Sequence, residues 1–189
     1  MPFNPNKHHR KSIRLKGYDY SKAGMYFITI CAQNRQCLFG KIVNGEMALN
    51  DAGRMVEKWY YELENKFPDI KCHEMVVMPN HFHCIIENVA PVTPVGADLR
   101  VCPKNTLEQP IIGEQPISGE HVGSPLYRVV QWFKTMSTNE YIRGVKQLGW
   151  QRFNGKLWQR NYWENIIRDE QSFQRISEYM INNPQKMER

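Results

Sequence analysis

The chain lacks any run of the roughly twenty apolar residues that a bilayer-spanning helix requires, and its basic start is not followed by the apolar stretch of a secretory signal. Those two absences predict a cytoplasmic protein. Cysteine is sparse and unpatterned: Cys31, Cys37, Cys72, Cys84 and Cys102 are odd in number and form no C-x-x-C pair, which argues against a disulfide framework and for reduced thiols in mostly strand-like surroundings. Acidic residues are missing from the first 16 positions, where Lys7, Arg10, Lys11, Arg14 and Lys16 stand beside His8 and His9. An arm of that charge can neutralise phosphates. Over all 189 residues, 25 Lys and Arg face 19 Asp and Glu, and the net charge of +6 favours a polyanionic partner without naming one.

What is present is enough for one folded domain, with 41% hydrophobic and 12% aromatic residues. Met25 to Ala32 is rich in β-branched and aromatic side chains and predicts a central strand; Cys37 to Val43 and Glu46 to Leu49 predict a hairpin around Asn44-Gly45. From Asn50 the period changes, and Met55, Val56, Trp59, Tyr60 and Leu63 mark a helix of about four turns ending at Phe67-Pro68. His73 to Met78 and His81 to Glu87 predict a strand pair. Ser124-Pro125 opens a second helix with Leu126, Val129, Val130, Phe133 and Met136 on its apolar face. A last strand from Tyr162 to Ile167, within a stretch from Trp158 to Glu170 that reads as packed strand, precedes a helix from Asp169 with Phe173, Ile176 and Met180 inward, ending near Pro184. This order predicts an α+β chain of the ferredoxin-like class, an antiparallel sheet with packed helices. Residues 1–24 read as a basic arm, and residues 25–88 with 123–189 as the domain. Residues 89–122 read as a Pro/Gly-rich loop insert containing the near repeat Glu108 to Glu114 and Glu114 to Glu120.

One short motif carries chemistry. In Val76-Val77-Met78-Pro79-Asn80-His81-Phe82-His83-Cys84-Ile85-Ile86, two imidazoles flank one bulky apolar residue. On an extended chain His81 and His83 share one face, while Phe82, Cys84 and Ile86 share the other, so one face can hold a cation while the other packs on a core. Pro79-Asn80 is a turn signal that puts the pair at the mouth of a sheet. Two imidazoles completed by an amide or a carboxylate suit an open divalent site acting on phosphate rather than a closed structural zinc site.

Met78-Pro79-Asn80-His81-Phe82-His83 resembles the metal motif of the HUH endonucleases, and further blocks resemble one branch, the REP-associated tyrosine transposases. These blocks are Arg10 to Ser21 with Gly24 to Ile30, Trp132-Phe133-Lys134, Leu157 to Glu170, and Tyr179 to Pro184. The resemblance implies the HUH endonuclease fold and a metal-dependent transposase that nicks and rejoins single-stranded DNA at hairpin repeats through a 5′-phosphotyrosine. It assigns the nucleophile to Tyr179 and the metal ligands to His81, His83 and Asn183, with Asn182 as the neighbouring alternative to the last and Tyr162 as a rival nucleophile. It implies Mg²⁺ or Mn²⁺ as cofactor, single-stranded or hairpin DNA as partner, a monomer or homodimer, and a nucleoid-associated place in the cytoplasm. Asn165 stands where many members carry histidine. Candidate DNA contacts are Lys7, Arg10, Lys11, Arg14, Lys16, Lys134, Arg160 and Arg168; Arg128, Arg143 and Lys146 form either a further phosphate-tracking face or a solvated helix surface. The alternative reading is a domesticated hairpin-DNA-binding protein that no longer cuts. A third, a replication-initiator nuclease, shares the histidine motif but not the other blocks.

Overall fold

The computed structural model describes residues 18, 22–89 and 125–187. The predicted arm, apart from Tyr18 and residues 22–24, and the predicted insert, apart from Val89, lie outside the described residues. The elements run β1 (Gly24–Cys31), β2 (Gly40–Val43), β3 (Glu46–Leu49), α1 (Asp51–Lys66), β4 (Ile70–Met78), β5 (His81–Asn88), α2 (Pro125–Gln147), β6 (Trp163–Ile167), α3 (Glu170–Ile181) and α4 (Asn183–Met187). The main sheet has the order β4-β5-β1-β6, with every neighbouring pair antiparallel. With α1 joining β1 to β4 and α2 joining β5 to β6, this is the ferredoxin-like order expected from the sequence; β2 and β3 are a separate hairpin inserted before α1.

Alternation decides which face each side chain takes. Tyr26, Ile28 and Ile30 of β1 and Phe82, Cys84 and Ile86 of β5 point to one face, where α1 and α2 bury them with Val56, Tyr60, Val129 and Phe133. The opposite face carries Phe27, Ile85 and Ile167, which α3 covers with Met180, Phe173 and Ile176. Helices therefore lie on both sides of the sheet. At the end of that face the half-buried His81 and the buried His83 line a cleft beside α3.

Local chemistry sets the element ends. Asn50 caps α1, its side chain accepting from the Gly53 amide at 2.9 Å and donating to the Leu38 carbonyl at 3.0 Å. Gly53 is required there, since a Cβ would stand 2.2 Å from the Phe39 carbonyl oxygen. Asn44 and Gly45 both have positive φ, 53° and 77°, as the tight hairpin turn between β2 and β3 demands. β2 begins three residues later than expected, because the Leu38 and Phe39 amides bond the Pro79 carbonyl instead of a partner strand. β4 begins three residues earlier and carries an irregularity between Cys72 and Met75. There the Tyr60 hydroxyl reaches the Ile85 carbonyl at 2.6 Å and lies 3.1 Å from the His73 carbonyl.

Two further expectations are corrected. Only Trp163 to Ile167 is strand in the Trp158 to Glu170 stretch; Trp158 makes a single bridge to Ala32, and its indole donates to the buried Ser137 hydroxyl. Pro184 does not stop the chain's helical path. α3 ends at Ile181, and Pro184 sits in the first turn of α4, where its missing N–H has no helical partner to lose. Of the thiols, Cys84 is buried, Cys31 and Cys72 are half-buried, Cys37 is exposed and all four are free; Cys102 lies outside the described residues. No helix among the described residues is long and apolar enough to cross a membrane.

Candidate metal and nucleophile site

The turn Pro79-Asn80 brings β5 back along β4 so that His81 stands opposite Cys31 of β1, and His83 opposite Thr29. Each imidazole is fixed through Nδ1. That of His81 lies 2.7 Å from the Asn80 side-chain oxygen, and that of His83 lies 2.7 Å from the Thr29 hydroxyl. The two Nε2 atoms are thereby turned toward each other at 3.0 Å, with the ring planes at 82°. Two neutral imidazoles satisfy such a contact in two ways: one Nε2 keeps a proton and donates it to the other, or a cation takes both lone pairs. Phe27 stacks on His83 at 5.2 Å between centroids and prevents that ring from turning away.

Electrostatics keep the pair neutral. Burial is the larger cause for both: it pulls His83 down to about 3, helped by the neighbouring His81, and His81 down to about 4, helped by the Arg35 guanidinium. Lone pairs are therefore available at neutral pH.

The elements on the α3 side complete the site. Tyr179 projects from α3 with its ring 5.5 Å from His83 and 6.2 Å from Phe27, in edge-on contact with both. It is 40% exposed, unlike the wholly buried Tyr26, Tyr60 and Tyr141. Asn182, the C-cap of α3, keeps right-handed helical dihedrals and its amide bonds the Glu178 carbonyl at 3.0 Å, and α4 begins at the next residue, Asn183. Asn183 is 7% exposed, its amide nitrogen is buried without a hydrogen-bond partner, and it lines a cleft of about 410 Å³ together with His81, His83 and Tyr179. Asn182, by contrast, is exposed and spends its amide on the Glu178 carbonyl at 2.8 Å. No three side chains of His, Cys, Asp or Glu converge on a possible metal position among the described residues. Asn183 brings a carboxamide, whose oxygen is the atom able to ligate a metal, to the cleft that His81 and His83 line, and two imidazoles with one amide oxygen suit a divalent cation with open positions.

Arg35 was not singled out from the sequence. It lines the same cleft from a short 3-10 turn, Gln33–Arg35, in which Asn34 and Arg35 hold positive φ of 56° and 53°. The flanking backbone braces this conformation: the Gln33 amide bonds the Leu157 carbonyl and the Ala32 amide bonds the Asn80 carbonyl. Holding two non-glycine residues at positive φ costs energy that these bonds offset, and it leaves Arg35 in the cleft lining. Asn-Arg-Gln in a loop gives no sequence signal of it. Trp163, on the edge strand, also lines the cleft.

The other candidates go elsewhere. Lys134 is half-buried, and its ammonium donates to the carbonyls of Gln159, Arg160 and Asn161 at 3.0, 3.3 and 3.2 Å. Burial draws its pKa down to about 8, so it still carries charge at neutral pH. Tyr162 packs toward the main core beneath this ammonium and does not line the cleft. Arg160 and Arg168 are exposed at the two ends of β6. Arg128, Arg143 and Lys146 are exposed on α2, across the sheet from the histidines, and Asn165 is exposed on β6. Lys7, Arg10, Lys11, Arg14 and Lys16 lie outside the described residues.

No protein-family model matches the chain. It is 38% identical over 186 residues to an uncharacterized protein of Haemophilus influenzae, across 96% of this chain and 92% of that one. Among solved structures, a REP-associated tyrosine transposase bound to a REP hairpin shares the fold, with a TM-score of 0.54 and 17% identity over 92% of this chain and 74% of the other.

Proposed function

The chain belongs to the family of the uncharacterized Haemophilus influenzae protein and has the fold of the hairpin-bound transposase, and from that premise we propose that it is a metal-dependent, single-tyrosine transposase that nicks and joins single-stranded DNA at hairpin repeats. The observation that carries this reading is the convergence, in one cleft, of the two facing Nε2 atoms, the Asn183 side chain and the accessible Tyr179. A hairpin-binding protein without cleavage would have no use for that convergence.

His81, His83 and Asn183 would hold Mg²⁺ or Mn²⁺, which would supply Lewis acidity to the scissile phosphate. The chain's own groups do the rest. Tyr179 attacks phosphorus through its phenol oxygen; the Oη–P bond forms, the bond from phosphorus to the 3′-oxygen breaks, the phenol loses its proton and the departing 3′-oxygen gains one. The products are a 5′-phosphotyrosine and a free 3′-hydroxyl, with the phosphodiester energy conserved for joining to another 3′-hydroxyl. Phe27 and His83 hold the Tyr179 ring edge-on and limit its swing. Arg35 places positive charge beside His81, where a phosphate oxygen would enter. The basic arm, Lys7, Arg10, Lys11, Arg14 and Lys16, together with Arg160 and Arg168, supplies phosphate contacts along the strand.

The test is covalent capture. The purified protein is incubated with Mn²⁺ and labelled single strands from hairpin repeats beside its own gene, then run on a denaturing gel. A protein-DNA band that disappears in Tyr179→Phe and in His81→Ala is expected. Tight hairpin binding with no band overturns the cleavage reading in favour of a non-cutting binding protein.

A further inference from the structure

Of the aromatic side chains around the cleft, Trp163 is the one whose position its own fold does not explain. It is 63% exposed, and no other aromatic ring among the described residues stacks on it, whereas Trp59 packs on Trp132, Trp158 on Phe39 and Trp150 on Tyr141. Leaving so large an apolar ring in water gives up burial energy without a structural return. Its register is specific. Thr29 pairs with His83 on one side and with Trp163 on the other, so His83, Thr29 and Trp163 form one row across the same face. Two inter-strand steps separate the indole from the imidazole, about 9.5 Å of backbone spacing. That is the reach from a phosphate at the histidines, across its sugar, to the attached base.

The surroundings match a nucleotide in both halves. Near the histidines the lining is polar, with the Arg35 cation and no carboxylate among the described lining residues; toward β6 and α4 it becomes apolar, with Trp163 and the 39%-exposed Met187. A nucleotide has the same division, an anionic phosphate joined to a flat, weakly polar ring.

We infer that Trp163 is a stacking platform for one unpaired nucleobase adjacent to the scissile phosphate. This rests on the nicking reaction proposed above. Stacking of this kind tolerates any base, because every base has a π-face, so the platform selects for an unpaired nucleotide rather than for a sequence. A base held in a duplex presents only its edges and cannot lie on the indole. The slot therefore explains how a cleft without base-reading side chains on this wall would prefer single strands.

The experiment measures binding by fluorescence anisotropy in EDTA and covalent capture in Mn²⁺, using wild type, Trp163→Ala and Trp163→Phe. The substrates are single strands of the flanking hairpin repeat, intact or with one abasic residue placed in turn on either side of the cleaved linkage. Trp163→Ala is expected to weaken binding of the intact strand about tenfold, within the range that alanine substitution gives for base-aromatic stacking, and Trp163→Phe to recover most of it. At one flanking position the abasic strand should bind wild type as weakly as the alanine variant binds the intact strand, with no additional loss when both changes are combined. Cleavage by wild type with purely additive losses at every position, or with no loss in Trp163→Ala, overturns the platform and leaves the nicking reading intact. The coupled loss without any covalent band overturns the nicking reading and leaves the platform standing. Absence of both overturns both.

Discussion

The Thr29 hydroxyl stands 2.7 Å from Nδ1 of His83, across the β1–β5 ladder, and so fixes which nitrogen of that ring faces His81. Partners of this kind orient a ligand without touching the metal. Thr29→Val, which keeps the shape and removes the oxygen, is expected to weaken Mn²⁺ binding roughly 10- to 100-fold. Thr29→Ser should retain it. Isothermal titration on folded protein checks this, and unchanged affinity in Thr29→Val would show that Phe27 stacking alone positions the ring.

Asn183 and Asn182 separate cleanly. Asn183→Ala removes the buried, uncommitted amide and is expected to lower Mn²⁺ affinity and covalent capture while the unfolding midpoint holds or rises, because an unsatisfied buried polar group is lost. Asn182→Ala removes only an exposed bond to the Glu178 carbonyl and should cost about 0.5 kcal/mol or less with metal binding unchanged. Reversed effects would move the third ligand to Asn182.

Lys134→Met should destabilise the fold by about 2 kcal/mol, since three carbonyls lose a charged donor. Urea unfolding measures it. A loss of single-strand affinity at unchanged stability would instead return Lys134 to the set of DNA contacts.

Stability should fall in alkali. Burial pushes the Cys72 thiol up to about 12, and raises the Cys84 thiol and the Tyr60 phenol well above their ordinary values. The unfolded chain ionises these groups from about pH 9 upward while the folded chain keeps the protons. The native state then binds more protons, so stability is full below pH 9 and is lost progressively as pH rises toward 12. Thermal unfolding between pH 8 and 11 should show this fall. Cys84→Ala should start lower and fall less steeply.

Much of this arrangement is legible in the sequence because alternation is a strict geometric rule. His81 and His83 had to share a face opposite Phe82 and Cys84, and the core contains those two while the cleft takes the histidines. Tyr179 and Asn183 are four residues apart, the spacing that puts two side chains on one helical face; α3 ends at Ile181, but Asn182 keeps right-handed helical dihedrals, and both side chains line the cleft. The bonds of Lys134 are not legible in the sequence, because its partners are backbone carbonyls, which every residue has and no sequence pattern marks. Arg35 is illegible for a related reason: its turn is held by amides of Ala32 and Gln33 that find acceptors at Asn80 and Leu157, far apart in the chain. Trp163 alternates correctly with Asn165 and Ile167, but alternation identifies a face and not what the face is for.

The small cluster under α3 has a kinetic consequence. Ile85, Ile167 and Met180 are the fully buried side chains that seat this helix, whereas β5 is a central strand anchored in the main core. Tyr179 and the histidines are therefore seated by clusters of different size, and hydrogen exchange is expected to show the α3 amides opening at a lower free energy than those of β5.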